Sequence, residues 1–290
     1  MSTGKPDNPW QSLLDRYRSL PPELTKRIAS GVAIAAIALA MTYWSPAVFA
    51  VLMFLIAAAM SWEWGRMVRG PMPDTGMVVH ILAIFMAAIL TAMDLAGLGI
   101  AAAVVGAIAV AALAFGSGRA QLSGAGVFYT GLPIVALGWL RGDEPLGFLA
   151  ALFVLLAVVV TDVAAFIAGR TIGGPKLWPE VSPNKTWSGL VGGVAAAAIA
   201  GALFAWISGT GSPLWLAGLG LVMGLIAQGG DLAESALKRH FGLKDTGDLI
   251  PGHGGFMDRM DGMVTASIAA ALIAFAIDAF APARALLYGS

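Results

Sequence analysis

Acidic and basic side chains occur at helical spacing near both ends of a polar stretch, 229–262. Four of them share one face of a predicted helix: Asp231, Glu234, Ser235 and Lys238. Asp258, Asp261 and Thr265 repeat this arrangement further along the chain. Carboxylates that lie together repel one another unless they are protonated or bridged by a cation. The absence of cysteine favours Mg²⁺, which prefers oxygen ligands, over zinc, although solvated charges at two helix ends would give the same pattern.

The same stretch contains the kinds of residue that bind phosphate. Glycines allow successive backbone N–H groups to converge on an anion, and a glycine-rich turn spans 251–255. The candidate phosphate ligands here are Lys238, Arg239, Lys244, His253, Gly254 and Gly255. His253 could contact a phosphate or only brace the turn. No Walker A motif occurs in the chain, so the pattern indicates a metal-assisted phosphate or nucleotide site of another kind.

The composition of the chain places this site in a membrane protein. Of the 290 residues, 58% are hydrophobic and 12% are charged, and the mean hydropathy is +0.82. Soluble domains carry about 25% charged residues. We therefore predict an all-α integral membrane protein, and we expect no nucleic-acid partner.

Apolar runs of about 20 residues predict about nine transmembrane helices. The predicted spans are 28–44, 47–67, 76–93, 95–115, 122–140, 146–169, 188–208, 213–230 and 263–282. With a cytoplasmic N-terminus, 15 of the 17 basic residues fall in inside segments, and only Arg141 and Arg284 fall outside. Two polar cytoplasmic loops, 170–187 and 231–262, would then hold the chemistry.

Three regions follow from this arrangement of spans. Residues 1–27 form a cytoplasmic tail, in which apolar residues between Trp10 and Leu20 fit either an interfacial helix or a disordered segment. Residues 28–145 form the N-terminal membrane helices, and 146–290 form the catalytic half. Glycine pairs four residues apart indicate close helix packing inside one chain, with a homodimer interface as the alternative.

The polar segments resemble the signature of the phosphatidate cytidylyltransferases, or CDP-diacylglycerol synthases. The first segment reads Gly169-Arg170, Lys176-Leu177-x-Pro179 and Ser182-Pro183-x-Lys185-Thr186-Trp187-x-Gly189. The second reads Gly230-Asp231-Leu232-x-Glu234-Ser235-x-x-Lys238-Arg239, Lys244-Asp245-x-Gly247, Pro251-x-His253-Gly254-Gly255 and Asp258-Arg259-x-Asp261. The similarity covers about 160–265. The chain departs from the family where Asp162-Val163-Ala164-Ala165-Phe166 replaces an Asp-x-Gly-Ala-Tyr pattern.

This resemblance implies the reaction of CTP with phosphatidate to give CDP-diacylglycerol and pyrophosphate, with Mg²⁺ and a second cation such as K⁺. Asp231 and Asp258 would hold the metal, and Glu234 and Asp261 would contact it directly or through water. Ser182, Lys185 and Thr186 would meet the CTP phosphates, and Lys238 or Arg239 the phosphatidate phosphate. The remaining substrate-binding candidates are Asp162, Arg170, Lys244, His253, Gly254, Gly255 and Arg259. The site would face the cytoplasm from a bacterial inner membrane.

Two other functions could use the same kinds of residue. A CTP-dependent lipid kinase would attack the γ-phosphate instead of the α-phosphate. A transporter would explain acidic residues within the membrane, although the polar residues here gather at one interface. Glu63, near the end of the second span, could be a further functional acid or could pair with Arg66.

Overall fold

The computed structural model describes residues 22–247, 249 and 254–290, without the side chains of 22–30. The predicted tail helix between Trp10 and Leu20 lies outside these residues. Ten α-helices are present in the described part: α1 (Pro22–Trp44), α2 (Pro46–Val68), α3 (Thr75–Ala92), α4 (Ala96–Leu113), α5 (Ala120–Gly142), α6 (Gly147–Thr171), α7 (Trp187–Ser208), α8 (Pro213–His240), α9 (Met257–Ile277) and α10 (Pro282–Tyr288). The chain divides into two compact units after Met41, and the second contains every element from α2 onwards.

The prediction of an all-α membrane protein is confirmed. Eight helices in the described part of the chain, α2 to α9, are long and apolar enough to cross a membrane. The first predicted span, 28–44, falls within α1, which begins earlier, at Pro22. The apolar described part of this helix is Gly31–Trp44. The count of nine membrane crossings stays a prediction for this first helix.

Small residues bring α6, α7 and α8 together. A Cβ atom on Gly193 of α7 would lie 2.7 Å from the carbonyl oxygen of Thr161 in α6. A Cβ atom on Gly220 of α8 would lie 2.4 Å from the carbonyl oxygen of Ala197 in α7. Any larger side chain would push these helices apart, so both predicted packing motifs act within one chain.

The last predicted span, 263–282, was wrong at both ends. Helix α9 begins at Met257, so Asp258 and Asp261 lie in its first two turns, and it ends at Ile277. The next residues turn, and Pro282 starts the separate helix α10, whose Leu286 and Leu287 are fully buried. Proline fits the first turn of a helix because that position needs no N–H donor.

The segment 170–187, which was predicted as a loop, contains a short antiparallel hairpin. Strands β1 (Lys176–Trp178) and β2 (Ser182–Thr186) pair Lys176 with Thr186 and Trp178 with Ser182. Strand β2 leads directly into α7, where the Thr186 side chain accepts a hydrogen bond from the backbone N–H of Gly189 at 3.1 Å. This N-cap fixes the direction in which the chain passes from the hairpin into α7.

Candidate active site

Helix α8 carries the central group of polar side chains. It continues past Gly230 to His240, which confirms the prediction that Asp231, Glu234 and Lys238 share one face of a helix. A Cβ atom on Gly230 would lie 2.2 Å from the Thr265 hydroxyl oxygen, which shows how closely α9 approaches at this point. The acidic start of α9 is therefore brought beside the acidic end of α8.

A first ion pair joins the hairpin to α8. Lys185 Nζ lies 2.5 Å from Asp231 Oδ2 and donates to Gln228 Oε1 at 3.2 Å. Gln228 Nε2 in turn donates to Asp162 Oδ1 at 3.1 Å, which connects α6 to the same group. Ser235 Oγ donates to the second oxygen of Asp231 at 3.3 Å. Residues from three separate segments thus converge on one lysine and its carboxylate.

A second ion pair joins α8 to α9. Lys238 is buried, and its Nζ donates to Asp258 Oδ1 at 2.7 Å and lies 3.7 Å from Glu234 Oε1. Both oxygens of Glu234 are buried, and neither has a hydrogen-bond partner among the residues that the structure describes. Asp261 lies beside Glu234 and accepts from the backbone N–H of Gly262 at 2.7 Å. One buried ammonium group therefore faces several acids.

The second oxygen of Asp258 holds the polar segment that leads into α9. Asp258 Oδ2 accepts from Thr246 N at 3.0 Å, from Thr246 Oγ1 at 3.1 Å and from Gly255 N at 3.0 Å. With Lys238 on the other oxygen, both oxygens of this carboxylate are engaged. Gly254 has a φ of +84°, a conformation that glycine adopts without strain.

The structure brings some predicted site residues together and leaves others apart. It gathers Asp162, Lys185 and Asp231 around Gln228, and Glu234, Lys238, Asp258, Asp261, Gly254 and Gly255 at the α8–α9 contact. The other candidates are not part of these two groups of contacts. Arg170 lies over the Phe166 ring at 5.9 Å, Ser182 lies in strand β2, and Thr186 caps α7. Arg239 donates to the Leu243 carbonyl, and Lys244 and Arg259 are exposed. His253 lies outside the described residues. The roles given to all of these stay predictions.

Two residues at the site were not assigned from sequence. Gln228 lies one turn before Asp231 in an apolar run, and its polarity at that place was the available signal. Glu63 was predicted to be either a further functional acid or a partner of Arg66, and the pairing was wrong. Arg66 is exposed, whereas Glu63 is 1% exposed and bonds to Thr246, Phe256 and Met257.

In the described part of the chain, side chains alone do not complete a metal site. Among the residues that the structure describes, no three His, Asp or Glu side chains converge closely enough to hold an ion by themselves. Mg²⁺ at phosphate-transfer sites commonly uses one or two carboxylates and takes further ligands from substrate phosphates. The Glu234 carboxylate, which faces Lys238 at 3.7 Å and lies close to the Asp231 turn of the same helix, fits that pattern.

Comparison with known proteins shows the family to which the chain belongs. Residues 25–277 match the model of the cytidylyltransferase family. A phosphatidate cytidylyltransferase of Brucella suis biovar 1 (strain 1330) is 39% identical over 249 residues, which are 84% of this chain and 90% of that protein. A protein of the same name from Staphylococcus aureus (strain COL) is 43% identical over 111 residues, or 38% of this chain and 43% of its own. With most of its length matched, the chain belongs to the cytidylyltransferase family.

Proposed function

We propose that this protein transfers the cytidylyl group of CTP to phosphatidate, which yields CDP-diacylglycerol and pyrophosphate. The observation that carries the proposal is the pair of lysine–carboxylate contacts, Lys185–Asp231 and Lys238–Asp258, at one end of the membrane helices. The printed names of the relatives support the same reaction. CTP and phosphatidate are then the substrates.

The reaction needs no nucleophile from the protein. A phosphate oxygen of phosphatidate attacks the α-phosphorus of CTP, the new O–P bond forms, and the bond to the β-phosphate oxygen breaks to release pyrophosphate. The protein must align both substrates and balance negative charge, as in other phosphate transfers. In this proposal Lys185, on the hairpin, binds the CTP phosphates. Lys238, in the α8–α9 contact, binds the phosphatidate phosphate in the same proposal.

Magnesium is the cofactor that the donor set fits best. Asp231 and Glu234 would hold it together with CTP phosphate oxygens, and Asp261 would contribute directly or through water. Asp258 was also predicted as a ligand. Both of its oxygens are engaged, by Lys238, Thr246 and Gly255, as both oxygens of Asp231 are by Lys185 and Ser235. When bound, the ion would neutralise charge on the phosphates. A second cation such as K⁺ stays a prediction from the family resemblance.

The setting of the site completes the proposal. We place the protein in the bacterial inner membrane, since the relatives named above are bacterial and the phosphatidate substrate is a membrane lipid. The distribution of basic residues puts the N-terminus and the α8–α9 contact on the cytoplasmic side, where CTP is available. Contact with surrounding membrane lipids and assembly as a homodimer are part of the same proposal.

Position-specific labelling of CTP tests this function. Purified protein would be incubated with phosphatidate, Mg²⁺ and CTP that is labelled on either the α- or the γ-phosphate. We expect the α-label to enter the lipid and the γ-label to appear in pyrophosphate, in equal amounts. A γ-label in the lipid would indicate a kinase. If neither label were transferred, a transporter would be the remaining alternative. Asp231→Asn protein, purified in parallel, controls for contaminating enzymes.

A further inference from the structure

Glu63 connects the N-terminal half of the membrane domain to the start of α9. It lies on α2, more than 180 residues before its partners, and is 1% exposed. Its Oε1 accepts from Phe256 N at 2.9 Å, and its Oε2 accepts from Met257 N at 2.9 Å and Thr246 Oγ1 at 3.1 Å. These three partners are hydrogen-bond donors, and none of the three is a basic side chain. Glu63 therefore caps the helix that carries Asp258 and Asp261.

Two glycines make room for this carboxylate. A Cβ atom on Gly255 would lie 2.3 Å from Thr246 Oγ1 and 2.7 Å from Glu63 Oε2. A Cβ atom on Gly247 would lie 2.9 Å from Glu63 Oε1. Real Cβ atoms do not approach oxygen so closely, so these positions need glycine because Glu63 is there. Both glycines belong to the polar stretch 229–262.

Glu63 also shares a partner with the active-site carboxylate. Thr246 Oγ1 lies 3.1 Å from Glu63 Oε2 and 3.1 Å from Asp258 Oδ2. Asp258 in turn holds Lys238 at 2.7 Å. Through Thr246 and the first residues of α9, the position of Glu63 thus determines where Asp258 and Lys238 lie.

We propose that Glu63 is a positioning residue for cytidylyl transfer, which acts on the reaction through Thr246, Asp258 and Lys238 without contacting substrate. The inference rests on the proposed function. An ionised carboxylate suits this place because it accepts hydrogen bonds on both oxygens. Glutamine has nearly the same volume, but its NH₂ group would face a backbone N–H or the Thr246 hydroxyl.

The decisive variant is Glu63→Gln, assayed for CDP-diacylglycerol synthesis with each substrate varied. We expect kcat to fall by about tenfold to a hundredfold, since small displacements of catalytic groups have effects of this size. The KM for CTP should stay within about twofold, because Lys185, the proposed ligand of the CTP phosphates, is not part of the Glu63–Thr246–Asp258–Lys238 connection. The matched control is Glu180→Gln, in the exposed turn between β1 and β2, which should leave both parameters unchanged.

Thr246 variants separate positioning from a general loss of structure. Thr246→Val removes the shared hydroxyl and should lower kcat, whereas Thr246→Ser keeps the hydroxyl and should restore it. Glu63→Gln combined with Thr246→Val should lose less than the product of the single effects, because both act on Asp258.

Each outcome decides the inference. A folded Glu63→Gln protein with wild-type kcat would overturn it, as would fully multiplicative effects. Should Glu63→Gln fail to fold, the Thr246 pair decides: a Thr246→Val enzyme as active as wild type would overturn the inference. Failure of the proposed function would look different, because the wild-type protein itself would then make no CDP-diacylglycerol.

Discussion

Asp231→Asn is expected to lower kcat/KM for CTP by about 100-fold or more, the range seen when one preorganised electrostatic group is removed from an active site. Asparagine keeps the size of the side chain but loses the charge that faces Lys185 at 2.5 Å. It also removes an anionic ligand from the proposed metal site. Both losses act on the phosphates of CTP during transfer.

The same substitution should hardly affect folding. The Asp231 side chain is 28% exposed, and partly exposed ion pairs contribute about 1 kcal/mol or less. We expect the thermal unfolding midpoint in detergent to change by about 3 °C or less. Glu180→Gln, at an exposed acid in the turn between β1 and β2, is the matched control and should keep full activity. Near-normal turnover by Asp231→Asn would remove this residue from the site.

Asp258→Asn is expected to abolish turnover and also to destabilise the protein. The Asp258 side chain is 10% exposed and engages Lys238, Thr246 and Gly255. An asparagine that keeps its oxygen towards the two backbone N–H groups would turn its NH₂ group towards the Lys238 ammonium. Breaking a buried ion pair from one side costs about 3–5 kcal/mol.

Comparing thermal unfolding of the two asparagine variants tests this difference. Under identical detergent conditions, Asp258→Asn should unfold at a clearly lower temperature than Asp231→Asn, and CDP-diacylglycerol synthesis by both should be lost. Equal unfolding midpoints would show that Asp258 does not hold the polar segment in place. Wild-type activity of Asp258→Asn would contradict its place at the site.

The sequence predicted what depends on periodicity along one helix. The spacing of Asp231, Glu234 and Lys238 was sufficient to place them on one face of α8, because helical geometry fixes that relation. Apolar run length located α2 to α7 closely, but it ended α8 at 230, whereas the helix continues to His240. It misplaced the start of α9, because Asp258 and Asp261 are too polar to count as membrane residues, although they lie within the helix.

What the sequence could not predict is contact between distant segments. Lys185 and Asp231 are 46 positions apart, and nothing in their spacing indicates the ion pair between them. For Glu63, the nearest basic residue, Arg66, suggested a partner on the same helix. The packing of α2 against α9 instead turns Glu63 inward, where Met60 and Trp64 cluster with Met257 and Val264.

The central claim is that phosphatidate attacks CTP directly, without a cytidylylated enzyme. Covalent catalysis requires a nucleophile that is activated by a neighbouring base. The chain has no cysteine, and Ser235 donates to Asp231 at 3.3 Å on the face that would hold the metal. His253 and Ser182 are the other candidate nucleophiles in the polar segments.

Exchange of labelled pyrophosphate into CTP tests this claim most directly. A covalent intermediate would form and reverse without lipid, so protein freed of phospholipid would carry out exchange with Mg²⁺, CTP and pyrophosphate alone. Direct attack allows exchange only when phosphatidate or CDP-diacylglycerol is also present. We predict exchange that depends fully on added lipid. Rapid exchange in the absence of lipid would contradict the one-step mechanism and indicate a nucleophile on the protein.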